Sequence, residues 1–204
     1  MPAFNPQAYG PAVAELLREP RIAPLGPGRP NERVRPLLEA LTVERVFAPA
    51  GVRDRDMAAC CLAGLWLYHD FLDEAHTISQ EIPTPSGSYW HGLMHRREPD
   101  FANSAYWFRR VGRHPVFAPL HEAARELAAS ARPTAEAAFL ATQPAWDPFR
   151  FIDLCTACAE GRSAAELLCR QIQQREWELL FDFCYRSAVD APARQGQAEA
   201  HQAP

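Results

Sequence analysis

The chain has 204 residues and a mass of 22.9 kDa, and its 21 basic side chains, set against 25 acidic ones for a net charge of −4, are all arginine. Without a lysine it cannot form a lysine Schiff base, supply the lysine of a P-loop, or run a kinase-type or Ser-Lys mechanism. A composition of 48% hydrophobic and 23% charged residues fits a globular chain with a sizeable core, and the mildly acidic balance gives no reason to expect nucleic acid or an anionic membrane as partner.

The N-terminal MPAFNPQAYG lacks a basic leader followed by an apolar stretch, so a cytoplasmic location is expected. With it come reduced thiols at Cys60, Cys61, Cys155, Cys158, Cys169 and Cys184 rather than a disulfide framework. The longest apolar run, Met57 to Tyr68, is 12 residues, short of the roughly 18–20 needed to span a bilayer. Apolar residues recur at three and four rather than at two, which predicts an all-α chain. A short N-terminal helix comes first. REPRIAPLGPGRP (18–30), with four prolines and two glycines, reads as a linker. Residues 1–30 are therefore expected to form an N-terminal appendage, 31–188 the helical domain, and 189–204 a polar, disordered tail.

Within the domain, Asn31 can cap a helix over about 32–41, and Asp54 or Asp56 a long buried helix over about 56–80, stopped by Pro83 and Pro85. PTPSGS (83–88) reads as a loop before a helix from Tyr89 to Arg97. Asp100 caps the next helix, to about Gly112, and Pro115 suits a first helical position. Thr134 can cap a helix to Thr142. Asp147-Pro148 opens one that Gly161 ends, and Ser163-Ala-Ala-Glu166 is a capping box before a last helix to about Arg186.

Read as one continuous helix, 56–80 places Asp70 and Glu74 on a solvent stripe. His69, Asp73 and His76 instead continue the buried face of Leu62, Leu65 and Trp66, where a polar group must find a partner. A second cluster, His91, His95 and Glu98, lies on one side of the following helix, and His-x-x-x-His there suits a shared divalent cation. A short loop lets the two helices run antiparallel, so a metal held by His69, Asp73, His76, His91 and His95 is one expectation. A satisfied polar core layer is the other. The patterns His-Glu-x-x-His and paired Glu-x-x-His are absent, and His69-Asp70 lacks the upstream histidine that a helical metal phosphohydrolase needs. Arg96, Arg97, Arg109 and Arg110, beside Trp107, offer planar forks for an anionic ligand. Cys155-x-x-Cys158 falls at helical spacing with Phe151 and Leu154, and no strand precedes it, so small buried helix residues are expected there.

The block HDFLDEAHTISQEI (69–82) followed by GSYWHGLMHRREPDFANSAYWFRRVGRHPVF (87–117) resembles the shared core of an uncharacterised family of small helical proteins, and REWELLFDFCYR (175–186) is similar as well. The resemblance implies a compact helical domain with its site in that block, and no activity or cofactor. The residues themselves suggest a small-molecule pocket within 66–117, with a metal-assisted hydrolase as the leading expectation. In it, the histidines and Asp73 hold a cation that activates water, Glu98 and His91 take part in catalysis, and an arginine fixes an anionic substrate. The alternative is a non-catalytic helical module that engages a protein partner through the surface around Trp107.

Overall fold

The computed structural model describes residues 4–48 and 51–190 and is all-α; no strand occurs among the described residues. The tail expected over 189–204 lies outside them from residue 191 onward. A 3-10 turn, Pro6–Tyr9, leads into α1 (Pro11–Leu16), and α2 (Arg35–Glu39) and α3 (Val43–Val46) are short. The body is α4 (Arg55–Tyr68), α5 (Leu72–Ser79), α6 (Pro85–Arg97), α7 (Phe101–Val111), α8 (Phe117–Ser130), α9 (Phe139–Thr142), α10 (Pro148–Ala159) and α11 (Glu166–Asp190). No helix among the described residues is long and apolar enough to cross a membrane.

Several starts follow the expected caps. Asp54 accepts from the amides of Asp56 and Met57, Asp100 from Asn103, and Asp147 from Phe149 and Arg150. These side chains satisfy amides that have no partner inside the helix. The predicted helix over 56–80 is a correction, because it breaks at His69-Asp70 into α4 and α5. Asp70 adopts φ +65°, its amide donates to the Leu67 carbonyl at 3.1 Å, and the Phe71 amide donates to that of Trp66 at 3.1 Å. The Trp66 and Phe71 rings pack edge to face at 5.2 Å. This is a Schellman closure with its accompanying hydrophobic contact, in which Asp replaces the usual Gly. The break rotates α5 away from α4, so the solvent stripe assigned to a continuous helix does not exist. Asp70 is 4% exposed, and Glu74 is half-buried against Arg35 at 2.7 Å.

The central helix is α6. It starts at Pro85, four residues before the expected Tyr89, because Thr84 accepts from the Gly87 amide at 3.0 Å and proline is tolerated in the first turn. Every residue from Ser86 to Arg97 is buried. Glycine makes this enclosure feasible. A Cβ on Gly64 of α4 would meet the Trp90 ring at 2.8 Å, and one on Gly92 would meet the Phe108 ring at 3.0 Å. The Gly64 carbonyl accepts from Trp177 Nε1 of α11 at 2.8 Å, so α4, α6 and α11 meet at one point.

The segment expected to be a linker packs against this body. Prolines remove amide donors but leave carbonyls, and these carbonyls are taken by side chains of the body. Arg170 donates to Ile22 and Ala23, Gln173 to Pro24, and Arg97 to Gly26 and Pro27. Leu25 joins the same apolar core as α4, α6 and α11.

Candidate metal centre

Helix α6 carries polar side chains into a buried setting, and each is matched to a different neighbour. Arg96 pairs with Glu176 of α11, which also accepts from Tyr89 Oη at 2.9 Å, and the guanidinium lies 4.8 Å from the centre of the Phe151 ring. Arg97, about 100° round the helix, reaches Asp70 at 2.5 Å, and Arg21 meets the other oxygen of that carboxylate, also at 2.5 Å. Two of the four arginines expected to bind substrate, Arg96 and Arg97, are therefore only 1% and 3% exposed and are held by buried carboxylates. A buried charge needs such a partner, because desolvation alone costs several kcal/mol.

The third direction from α6 faces α5. A short connection brings the two helices together, and His76 of α5 meets His91 and His95 of α6. One ring nitrogen from each of the three lies within 4.8 Å of the others. The ring centres of His76 and His91 are 4.6 Å apart, those of His91 and His95 are 4.7 Å apart, and those of His76 and His95 are 5.5 Å apart. Trp107 of α7 covers His91 with a ring separation of 4.1 Å.

Hydrogen bonds engage the Nδ1 atoms of two of these rings. The Ser79 hydroxyl lies 3.0 Å from His91 Nδ1 and 3.3 Å from the His76 carbonyl, and when it donates to that carbonyl it accepts from His91. The Glu98 carboxylate, an acceptor, lies 3.0 Å from His95 Nδ1. His95 thus carries its proton on Nδ1 and presents the Nε2 lone pair, and His91 does the same when Ser79 accepts from it. Burial, with the nearby His95 and His76, pushes the His91 pKa down to about 3. Burial also lowers that of His95, against the pull of Glu98 and Asp100. Neutral imidazoles with an oriented second nitrogen are what a metal requires of its ligands. A tetrahedral ion with bonds of about 2.0–2.1 Å needs nitrogens about 3.4 Å apart, so the rings would close by roughly an ångström.

The remaining expected residues are placed elsewhere. His69 sits at the α4–α5 break, with Nδ1 3.4 Å from the Asn31 amide nitrogen. The break separates it from the cluster, although a continuous helix would have aligned it with His76. Asp73 is exposed on α5 and is not part of the three-residue group. Glu98 touches the centre only through His95. Arg109 packs over Phe149 at 5.9 Å, and Arg110 over Trp107, the ring that covers His91, at 5.1 Å. Cys155 and Cys158 lie on α10, and the pair is not a metal group among the described residues. Burial raises the Cys158 thiol, and Cys158 and Cys169 are 3.8 Å apart as free thiols.

Sequence reading passed over Ser79 and Glu176. Glu176 was findable, because Cys169, Ile172, Leu180 and Cys184 recur around it at helical spacing and all are fully buried. A carboxylate on an apolar stripe implies a buried cation opposite. Ser79 gave no such signal, since its part depends on which ring α6 brings beside it. Comparison with protein-family models, with curated proteins and with solved structures finds no match for the chain.

Proposed function

We propose that this protein is a metal-assisted hydrolase of small anionic substrates, with a divalent transition metal held by His76, His91 and His95. The observation that carries the reading is the convergence of three ring nitrogens within 4.8 Å, two of them on rings whose Nδ1 is engaged by Ser79 and Glu98. An all-imidazole set suits zinc, copper, nickel or iron rather than calcium or magnesium. Three protein ligands leave a position open, and a zinc-class ion there supplies hydroxide by lowering the pKa of a bound water to about 7. Glu98 strengthens His95 as a ligand. Arg110, stacked over Trp107, is the exposed cation that an anionic substrate would meet.

A second reading is favoured by the outer face of α7, where Tyr106 is 48% exposed beside Trp107, Arg109 and Arg110. Aromatic and Arg residues are the common anchors of protein interfaces. In that case the histidines form a satisfied polar layer. Cobalt titration separates the two. The full chain, stripped with EDTA, is expected to take up near-stoichiometric Co2+ with visible d–d bands. His76→Ala and His91→Ala should lose the bands while keeping the helical circular dichroism, and Asp73→Asn should retain them. If the wild type takes up no more cobalt than a triple variant His76→Ala/His91→Ala/His95→Ala, the metal reading is wrong.

A further inference from the structure

A second site shares no residue with the histidine cluster. There the end of α1, the strap over residues 18–34 and His69 enclose an open cleft of about 470 Å3, within the size range of small-molecule pockets. Four arginines line it, Arg18, Arg21, Arg29 and Arg33, against the carboxylates of Glu15 and Glu19. Arg18 pairs with Glu15 and Arg21 with Asp70. Among the described residues, no ion pair or hydrogen bond engages the guanidinium of Arg29 or Arg33. The chain as a whole is acidic, so this concentration of arginine is a local feature.

The lining residue His69 supplies the independent observation. It is 2% exposed, and its Nε2 has no hydrogen-bond partner. Asn31 Nδ2 can only donate, so His69 Nδ1 accepts from it and the ring proton sits on Nε2. The backbone of Leu16, at the end of α1, lies close enough to favour a proton on the ring, but not in the geometry of a full hydrogen bond. A buried N–H without a well-formed bond costs up to about 1–3 kcal/mol, and such groups in native proteins call for a reason. Just beneath it in the chain, Asp70 holds a left-handed backbone conformation, and its side chain presses on Gly28 of the strap: a Cβ on Gly28 would lie 2.7 Å from the carboxyl carbon. Arg29 and Arg33 line the cleft as exposed guanidiniums without a partner among the described residues, and what is missing is a compact group rich in acceptor oxygens.

We propose that this cleft binds the phosphate or pyrophosphate group of a small phosphorylated molecule, with Arg29 and Arg33 gripping its oxygens and His69 lining the wall beside them. Bidentate guanidinium pairing suits a phosphoryl dianion. The site is independent of the metal centre, and the test keeps the two apart. Inorganic pyrophosphate is titrated calorimetrically into the full chain in EDTA, where chelation by a metal cannot contribute. Wild type and His91→Ala are expected to bind alike. The double variant Arg29→Ala/Arg33→Ala, whose side chains are exposed and unpaired, should bind about tenfold or more weakly with an unchanged melting temperature. In 15N-edited spectra, pyrophosphate should move the His69 Nε2–H resonance and leave that of His114 in place. Unchanged affinity in the double variant overturns the proposal, as does a stationary His69 signal. A short single-stranded oligonucleotide that outcompetes pyrophosphate would also overturn it, since the cleft would then be part of a nucleic-acid surface.

Discussion

Asp70 shows how much one side chain can hold. Its carboxylate receives Arg97 from α6 and Arg21 from the strap, and Arg97 continues to the carbonyls of Gly26 and Pro27 at 2.8 and 3.1 Å. Changing Asp70→Asn keeps a residue that tolerates φ +65° but leaves the Arg97 guanidinium buried without a counter-charge. The expected loss is about 3–5 kcal/mol, read as a lower urea midpoint with an unchanged slope. Asp70→Gly separates the causes, because it relieves the backbone and removes the charge together. It should be as destabilised as Asp70→Asn; recovery to wild-type stability would mean that the backbone conformation, not the ion pair, governs this position. The sequence misleads here for a definable reason. A helical wheel assumes an unbroken helix, and Asp at a Schellman position lacks the glycine that normally announces the break. The paired Trp66 and Phe71 are the legible trace, since a hydrophobic contact across such a closure is part of the motif.

At the scale of the element, α6 carries the candidate site, and its enclosure depends on residues that have no side chain. Gly87 is the tightest case. A Cβ there would lie 2.4 Å from the Ile82 carbonyl oxygen, which is backbone of the α5–α6 connection and cannot rotate away. Gly87→Ala must push α5 and α6 apart at the turn that aligns His76 with His91. A destabilisation of about 1–3 kcal/mol is expected from overpacking, together with weaker cobalt uptake than in Gly92→Ala, where the obstacle is the Phe108 ring. Melting temperature and cobalt affinity of the two variants, measured side by side, check this; equal cobalt affinity would show that the α5–α6 spacing does not set the cluster. The His-x-x-x-His pair of α6 and its antiparallel partner were legible from spacing alone. The true start of α6 was also written in Thr84-Pro85, a capping residue followed by a first-turn proline, but Pro-Ser-Gly-Ser also reads as a loop, and local propensity does not choose between them. Burial chooses, because only tertiary contacts reward a helix through Ser86, Gly87 and Ser88.

Across the whole molecule, the all-α class followed from periodicity, whereas the place of residues 18–30 did not. A proline-rich stretch becomes part of the body only because Arg97, Arg170 and Gln173, up to 149 positions away in the chain, donate to its carbonyls. A scan of local composition cannot contain that information. The histidines give the molecule a second global property. Burial drives the pKa of His69 and His114 down to about 4 and that of His91 to about 3, from an ordinary value of 6.5. The unfolded chain takes up protons on these groups as the pH falls below about 6.5, while the folded chain does not until about 4. Stability is therefore full above 6.5 and declines as pH falls through that window. Exposed carboxylates held low by arginines, such as Glu32 and Glu122, act only below their ordinary 4.5, so the interval from 6.5 to 4.5 isolates the histidines. In EDTA the melting temperature is expected to fall steadily across it, and less steeply in a His114→Gln variant. Saturating zinc should raise the melting temperature of the wild type above pH 6.5, since a ligand that binds only the folded state stabilises it. That increment should hold as the pH falls through this window and shrink only where the lowered pKa values of His91 and His95 are reached and protons compete for the folded imidazoles. A zinc increment that persists in the triple variant His76→Ala/His91→Ala/His95→Ala would place the metal elsewhere on the chain.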